Sequence, residues 1–188
     1  METGITTYKK SEFVETETGN KVSRSARISG GNNIVLGGKT IVHPKCTIRG
    51  DLRRSGQGHQ ASVLIGRFCS LGPSCVIRPP YKTYKGVFSY YPLKIGDHVE
   101  IGSNTIIEAA GIGSHVKIGS NCVIGRFVFI KDCCVIEDGA VVAPNTVVPS
   151  FSHVKGGPPS VVVARLPEST REVVEAQSKD KYAKFVAA

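Results

Sequence analysis

Six cysteines and five histidines are the residues of this chain whose types could hold a metal, exchange a disulfide or move a proton. The cysteines are Cys46, Cys69, Cys75, Cys122, Cys133 and Cys134, and no two have the C-x-x-C spacing of zinc and redox motifs. The histidines, His43, His59, His98, His115 and His153, are scattered without ligand spacing. Acyl transfer would need one of them as a catalytic base. His98 and His115 fall inside regular repeats, and neither has an identifiable partner in the sequence. No glycine loop has the spacing that cradles phosphate. A second group is basic and aromatic. Residues 49–94 carry Arg49, Arg53, Arg54, Arg67, Arg78, Lys82, Lys85 and Lys94 against Asp51, a balance of +7 within a total of +9, whereas residues 95–164 come to −2. Tyr81, Tyr84, Phe88, Tyr90 and Tyr91 are interleaved with these charges. Such a mixture serves base stacking or protein contact. No recognisable nucleic-acid module accompanies it, so no nucleic-acid partner is expected. An acidic partner and a solvated face both fit the charge.

The elements that must carry these residues follow from one period. Ile112, Ile118, Ile124, Ile130, Ile136, Val142, Val148 and Val154 recur every six residues without a break. Four positions after each comes a small or β-branched residue: Val116, Cys122, Val128, Cys134, Ala140, Thr146 and Ser152. The pattern extends upstream through Ile95 and Ile101, through Ile65, Leu71 and Ile77 with Cys69 and Cys75, and through Leu36, Val42 and Ile48 with Cys46. One residue is missing, either between Ile107 and Ile112 or between Ile101 and Ile106. Glycine often follows the aliphatic residue, as in Ile112-Gly113 and Ile118-Gly119, where a tight corner favours a residue without Cβ. Neither a helix, with spacing 3 and 4, nor an ordinary strand, with spacing 2, gives a period of six.

The period resembles the left-handed parallel β-helix of hexapeptide repeats, in which three hexads close a triangular coil and stacked coils bury a core that no single repeat could bury. The expectation is an all-β chain: an N-terminal arm over residues 1–27, the β-helix over 28–164 with loops at 53–62 and 78–94, and a C-terminal α-helix within 165–188. Five of the cysteines lie on small inward positions and read as buried hydrophobes, with Cys133 one residue out of phase. Ser169-Thr170-Arg171-Glu172 has capping-box spacing, so the helix should begin there and run to about Phe185. Val174, Tyr182 and Val186 would dock it on the prism. No stretch has the roughly 20 apolar residues of a membrane span, and no apolar export segment lies near the N-terminus, which places the chain in the cytosol or nucleus with its cysteines reduced. The coil ends would expose strand edges that need a cap or a partner.

Ile48-Arg49-Gly50-Asp51 resembles the Arg-Gly-Asp corner of gamma-class carbonic anhydrases, a β-helix family whose zinc sits on three histidines. In register those ligand positions fall on Arg78, Ser103 and Glu108, none of them histidine, so no metal, cofactor or catalytic residue is expected. Arg49 and Asp51 then read as a structural corner, an ion pair at the coil surface. Periodicity and composition alone leave two readings, a scaffold or a degenerate enzyme of the carbonic anhydrase or acyltransferase type.

A more specific likeness rests on non-periodic stretches. The run from Asn33 to Leu52, Val76-Ile77-Arg78-Pro79-Pro80, Pro92-Leu93 with Ile95-Gly96-Asp97-His98-Val99, Asn121-Cys122-Val123-Ile124-Gly125-Arg126 and Lys131-Asp132-Cys133-Cys134 resemble the dynactin subunit 5 family. The likeness covers nearly the whole chain and departs mainly at residues 53–62. It implies a non-enzymatic subunit of dynactin's pointed-end complex, cytoplasmic and associated with the cytoskeleton, in the activator of the microtubule motor dynein. The implied partners are a second β-helix subunit, a large zinc-containing subunit and an actin-related protein, with cargo adaptors and early endosomes beyond them. Tyr81, Tyr84, Phe88, Tyr90 and Tyr91 are the candidate partner-binding loop, which the sequence equally allows to fold on its own coil.

Overall fold

The computed structural model describes residues 4–188 apart from 55, 57 and 59, so His59 and the middle of the 53–62 segment lie outside the described residues. Short strands stack into three parallel faces. One face runs in space through Arg27–Ser29, Thr47–Arg49, Val76–Ile77, Ile106–Ile107, Val123–Ile124 and Val141–Val142. A second runs through Ile34–Gly38, Val63–Arg67, Leu93–Ile95, Gly111–Ile112, Phe129–Ile130 and Val147–Val148. The third carries the parallel strands from Lys21–Ser23 to Ser152–Lys155, and antiparallel strands close both its edges, Phe13–Glu15 at one end and Val161–Arg165 at the other.

The six-residue period works because it places one large aliphatic side chain on each face of each coil, and parallel pairing puts like on like. Ile48, Ile77, Ile107, Ile124 and Val142 lie in register on one face. Ile65, Ile95, Ile112, Ile130 and Val148 do so on the next. All are buried in one continuous cluster. The small positions lie between them, and their polar members bond to the coil above: Thr40 Oγ1 donates to Gly66 O at 3.1 Å and Thr105 Oγ1 to Gly119 O at 2.7 Å. Cys69, Cys122 and Cys134 set their sulfurs 3.2, 3.1 and 3.0 Å from the equivalent carbonyls of Gly96, Glu137 and Pro149. Cys46 and Cys75 instead face each other, sulfur to sulfur at 3.1 Å, and all six thiols are free.

The glycines after the aliphatic residues are required by close approach and not by backbone conformation. A Cβ on Gly66, Gly113 or Gly119 would collide with the carboxylates of Asp97, Asp132 and Asp138. Those carboxylates accept backbone N–H bonds from Arg67, Ser114 and Ser120 at 2.7–2.8 Å. Left-handed backbone falls elsewhere, on non-glycine corners such as Phe68, His98, His115, Cys133 and Phe151, with φ between 53° and 60°.

Three boundaries differ from the sequence reading. Lys21–Ser23, placed there in the N-terminal arm, pairs in parallel with Ile41–Val42 and is already part of the stack. Thr6–Tyr8 pairs with Phe185–Ala187, so both termini form a small sheet whose Tyr8 and Phe185 pack with Phe13 and Ile41 of the third face. The 165–188 segment is an antiparallel strand end, then helix α1 (Thr170–Lys184), then the terminal strand. Ser169 makes no side-chain cap bond, because its backbone is already helical; Thr170 Oγ1 donates to Pro167 O at 2.6 Å instead. Val186 is exposed, since in the strand it points away from the side that buries Phe185.

Candidate functional site

Two of the three zinc positions of the carbonic anhydrase likeness are occupied by an ion pair. Val76–Ile77 and Ile106–Ile107 are neighbours in register, which sets Arg78 beside Glu108, and the guanidinium donates to Glu108 Oε1 at 2.7 Å. The guanidinium has no electron pair to give a divalent ion, and its positive charge at this spot opposes one. At the neighbouring corner Arg49 meets Asp51 with two parallel bonds of 2.8 Å. That fork holds the carboxyl below its usual range, chiefly through the Arg49 hydrogen bond, and both side chains are part-exposed.

The 78–94 insertion is an ordered antiparallel hairpin, Tyr81–Tyr84 against Val87–Tyr90. Alternation along the strands groups Tyr81, Phe88 and Tyr90 on one side, with ring centroids 5.1–5.9 Å apart. Arg126 lies over the Tyr81 ring at 4.6 Å, and Tyr91 packs edge-on against Phe127 at 5.4 Å. The hairpin is thus folded against its own corner at the base, while Tyr84 (61% exposed) and Val87 (64%) project at the tip and Phe88 (52%) is exposed beside the Tyr81 and Tyr90 rings. Of the five aromatics singled out from sequence, Tyr90 and Tyr91 are only partly exposed.

A third place was not legible from sequence. Phe68, His98, His115, Cys133 and Phe151 occupy the same left-handed corner of successive coils, each linked by its N–H to the corner below, as in His98 N to Arg67 O and His115 N to Asp97 O. The rings stack, Phe68 on His98 at 5.3 Å and 6°, His98 on His115 at 5.0 Å and 17°. Helix α1 covers this ladder. A helical turn advances about 5.4 Å and a β-helix coil about 4.8 Å, so residues 3 or 4 apart on the helix meet successive corners. Tyr182 lies edge-on to Phe68 at 6.0 Å, Ser178 Oγ is 2.6 Å from His98 Nδ1, and Glu175 Oε2 is 3.4 Å from His115 Nε2. Arg171 brings its charge to Cys133. The histidines called scattered are therefore adjacent, because their separation of 17 residues is one coil shortened by the missing residue. Cys133, read as outward, is buried at 4% beneath the helix.

The cluster brings two stacked imidazoles beside a carboxylate. Burial holds His98 below the ordinary histidine range, and His115 pushes it the same way. The Lys179 ammonium, 2.6 Å from Glu175 Oε1, holds that carboxyl low. His115 is 92% buried and its Nε2 makes no hydrogen bond; at 3.4 Å from Glu175 it has charge proximity without hydrogen-bond geometry.

A family model described as Dynactin subunit 5 matches residues 1–188. The chain belongs to the dynactin subunit 5 family. A Dictyostelium discoideum protein named Dynactin subunit 5 is 46% identical over 105 residues, which cover 56% of this chain and 49% of that protein. The match thus spans about half of the relative's length. Solved structures are similar at lower identity. AntD, an N-acyltransferase from Bacillus cereus, has a TM-score of 0.64 at 15% identity, covering 85% of this chain and 88% of its own. A hexapeptide transferase family protein from Anaplasma phagocytophilum has a TM-score of 0.63 at 15% identity, covering 87% and 89%. The acetyltransferase domain of PglB from Neisseria gonorrhoeae has 0.59 at 14%, covering 77% and 57%. At these identities they show the fold alone: this member of the dynactin subunit 5 family is a left-handed hexapeptide β-helix with a C-terminal helix.

Proposed function

We propose that the chain is a non-catalytic structural subunit of dynactin's pointed-end complex, supporting dynein-driven transport along microtubules and the attachment of cargo through adaptors. The observation that carries this reading is the family match from residue 1 to residue 188. The Arg78–Glu108 ion pair favours a structural role, since it fills the ground where a carbonic anhydrase of this fold holds its metal. Its proposed neighbours are a second β-helix subunit, a large zinc-containing subunit and an actin-related protein. The hairpin tip, with Tyr84 and Phe88 exposed, supplies the aromatic side chains that dominate protein interfaces. No helix is long and apolar enough to cross a membrane among the described residues. We place the protein in the cytoplasm with the cytoskeleton.

Affinity capture of the tagged chain from its native cell, followed by mass spectrometry, tests the assembly. Co-recovery of dynactin subunits in stoichiometric amounts supports it. A self-associated trimer free of them would favour the enzyme-like alternative.

A further inference from the structure

We propose that His98, His115 and Glu175 form a binding site for a divalent transition-metal ion of the zinc type, which clamps helix α1 to the side of the β-helix. One donor atom from each of the three residues lies within 4.8 Å of the other two. Zinc bonds of about 2.0–2.1 Å in a tetrahedron set neighbouring donors about 3.4 Å apart. Glu175 Oε2 and His115 Nε2 already stand at 3.4 Å, so only His98 has to close in, by a tilt of a ring now stacked 5.0 Å from His115 that keeps its contact with Ser178.

Three further features prepare the donors. Ser178 Oγ lies 2.9 Å from the Glu175 carbonyl, which can take its proton, and 2.6 Å from His98 Nδ1; with the hydroxyl proton on the carbonyl, the ring N–H donates to the hydroxyl. In that arrangement His98 is the Nδ1–H tautomer, with its electron pair on Nε2. A hydrogen bond to the non-ligating nitrogen is the usual device that orients a metal-bound histidine. Lys179 holds Glu175 Oε1, leaving Oε2 for the ion, although its positive charge opposes binding and limits affinity. His115 Nε2 is buried without a hydrogen-bond partner, and a bound cation gives that electron pair something to do. Two imidazoles and a carboxylate are a donor set suited to zinc. Part-exposed His98 and Glu175 leave room for water at a fourth position. The three residues come from two consecutive coils and from α1, so the ion ties the helix to the prism. This site is separate from Arg78, Ser103 and Glu108 and requires no catalysis.

The test is calorimetric titration of the purified, metal-stripped full chain with zinc chloride, paired with thermal melts with and without zinc. One zinc per chain and a zinc-dependent rise in Tm are expected. His115→Ala should abolish both, Glu175→Gln should weaken binding at least tenfold, and Ser178→Ala should weaken it about tenfold or more by freeing the His98 ring. His153→Ala, remote from the site, should change nothing. Should His115→Ala fail to fold, Glu175→Gln decides, since that side chain sits on the part-exposed helix surface. Absence of saturable binding overturns the proposal, as does zinc held with unchanged affinity by folded Glu175→Gln, which would place the ion on other groups such as the cysteines.

Discussion

His98 Nδ1 lies 2.6 Å from the Ser178 hydroxyl although eighty residues separate them in sequence. This contact fixes where α1 sits along the prism, one helical turn per coil, with Tyr182 above and Glu175 below. Tyr182 adds a hydrogen bond from its hydroxyl to Gly19 O at 2.6 Å, joining the helix to the first coil. Tyr182→Phe removes that bond and leaves the ring in place. A loss of about 0.5–1.5 kcal/mol is expected in chemical denaturation, with faster amide exchange in α1 than in the coils. Unchanged exchange in α1 would mean that the helix is held by other contacts.

Cysteine substitutions should divide by what the thiol faces. Cys122 and Cys134 point at carbonyls that threonine hydroxyls satisfy at Thr40 and Thr105 in the same kind of position. A serine there can donate to the same oxygen, so Cys122→Ser should cost less than about 1 kcal/mol. Cys46 faces only the Cys75 sulfur at 3.1 Å, a weak acceptor, and Cys46→Ser should cost about 1–3 kcal/mol. Urea melts of the two variants compare them directly, and equal losses would count against the argument.

Arg78 and Glu108 should be coupled in stability. The Arg78 side chain is 44% exposed and Glu108 16%, so solvent screens much of the attraction. A double-mutant cycle with alanine should return a coupling of about 1 kcal/mol or less. Neither single variant should gain zinc at that corner.

Acid should loosen the N-terminal end of the stack. Burial, reinforced by the Lys181 charge and opposed by Glu100, depresses His43 to about 4. The ring packs against Phe185 at 5.6 Å. A histidine whose folded pKa lies below its unfolded value of about 6.5 contributes its full share above that value. The share is lost as the pH falls from about 6.5 through 4. Unfolding free energies at pH 7.5 and 4.5 should show this drop, and His43→Gln should shrink it. An unchanged drop would assign it to other groups.

The hairpin residues should separate by depth. Tyr84→Ala, at the exposed tip, should leave the melting temperature within a degree or two, Phe88→Ala should lower it somewhat more through its ring contacts with Tyr81 and Tyr90, and both should weaken capture of partner subunits. Tyr91→Ala, which loses the contact with Phe127, should lower stability. Capture of every partner at wild-type levels by the Tyr84, Phe88 double variant would remove the tip as a contact.

What the sequence determined by itself is the coil. A six-residue recurrence of Ile and Val, with a small residue four places on, turns the large side chains inward, so most of the core from Val42 to Val154 was legible, whereas Val63, Leu93 and Ala109 stand outside the two series and show as core only in the wound coil. The aromatic insertion and the Arg49–Asp51 corner were legible too, since both interrupt or decorate that period. The outward corners were not. Lys39, Phe68, His98, His115, Cys133 and Phe151 share one corner, and nothing in composition unites them, because an outward left-handed position imposes a backbone angle and no side-chain type. Their neighbours across coils depend on the insertions before His98 and the missing residue before Ile112. Their covering depends on where α1 docks, and that is set by the match between helix pitch and coil spacing. The meeting of His98, His115 and Glu175 therefore exists only once the chain is wound and its last helix is laid across it.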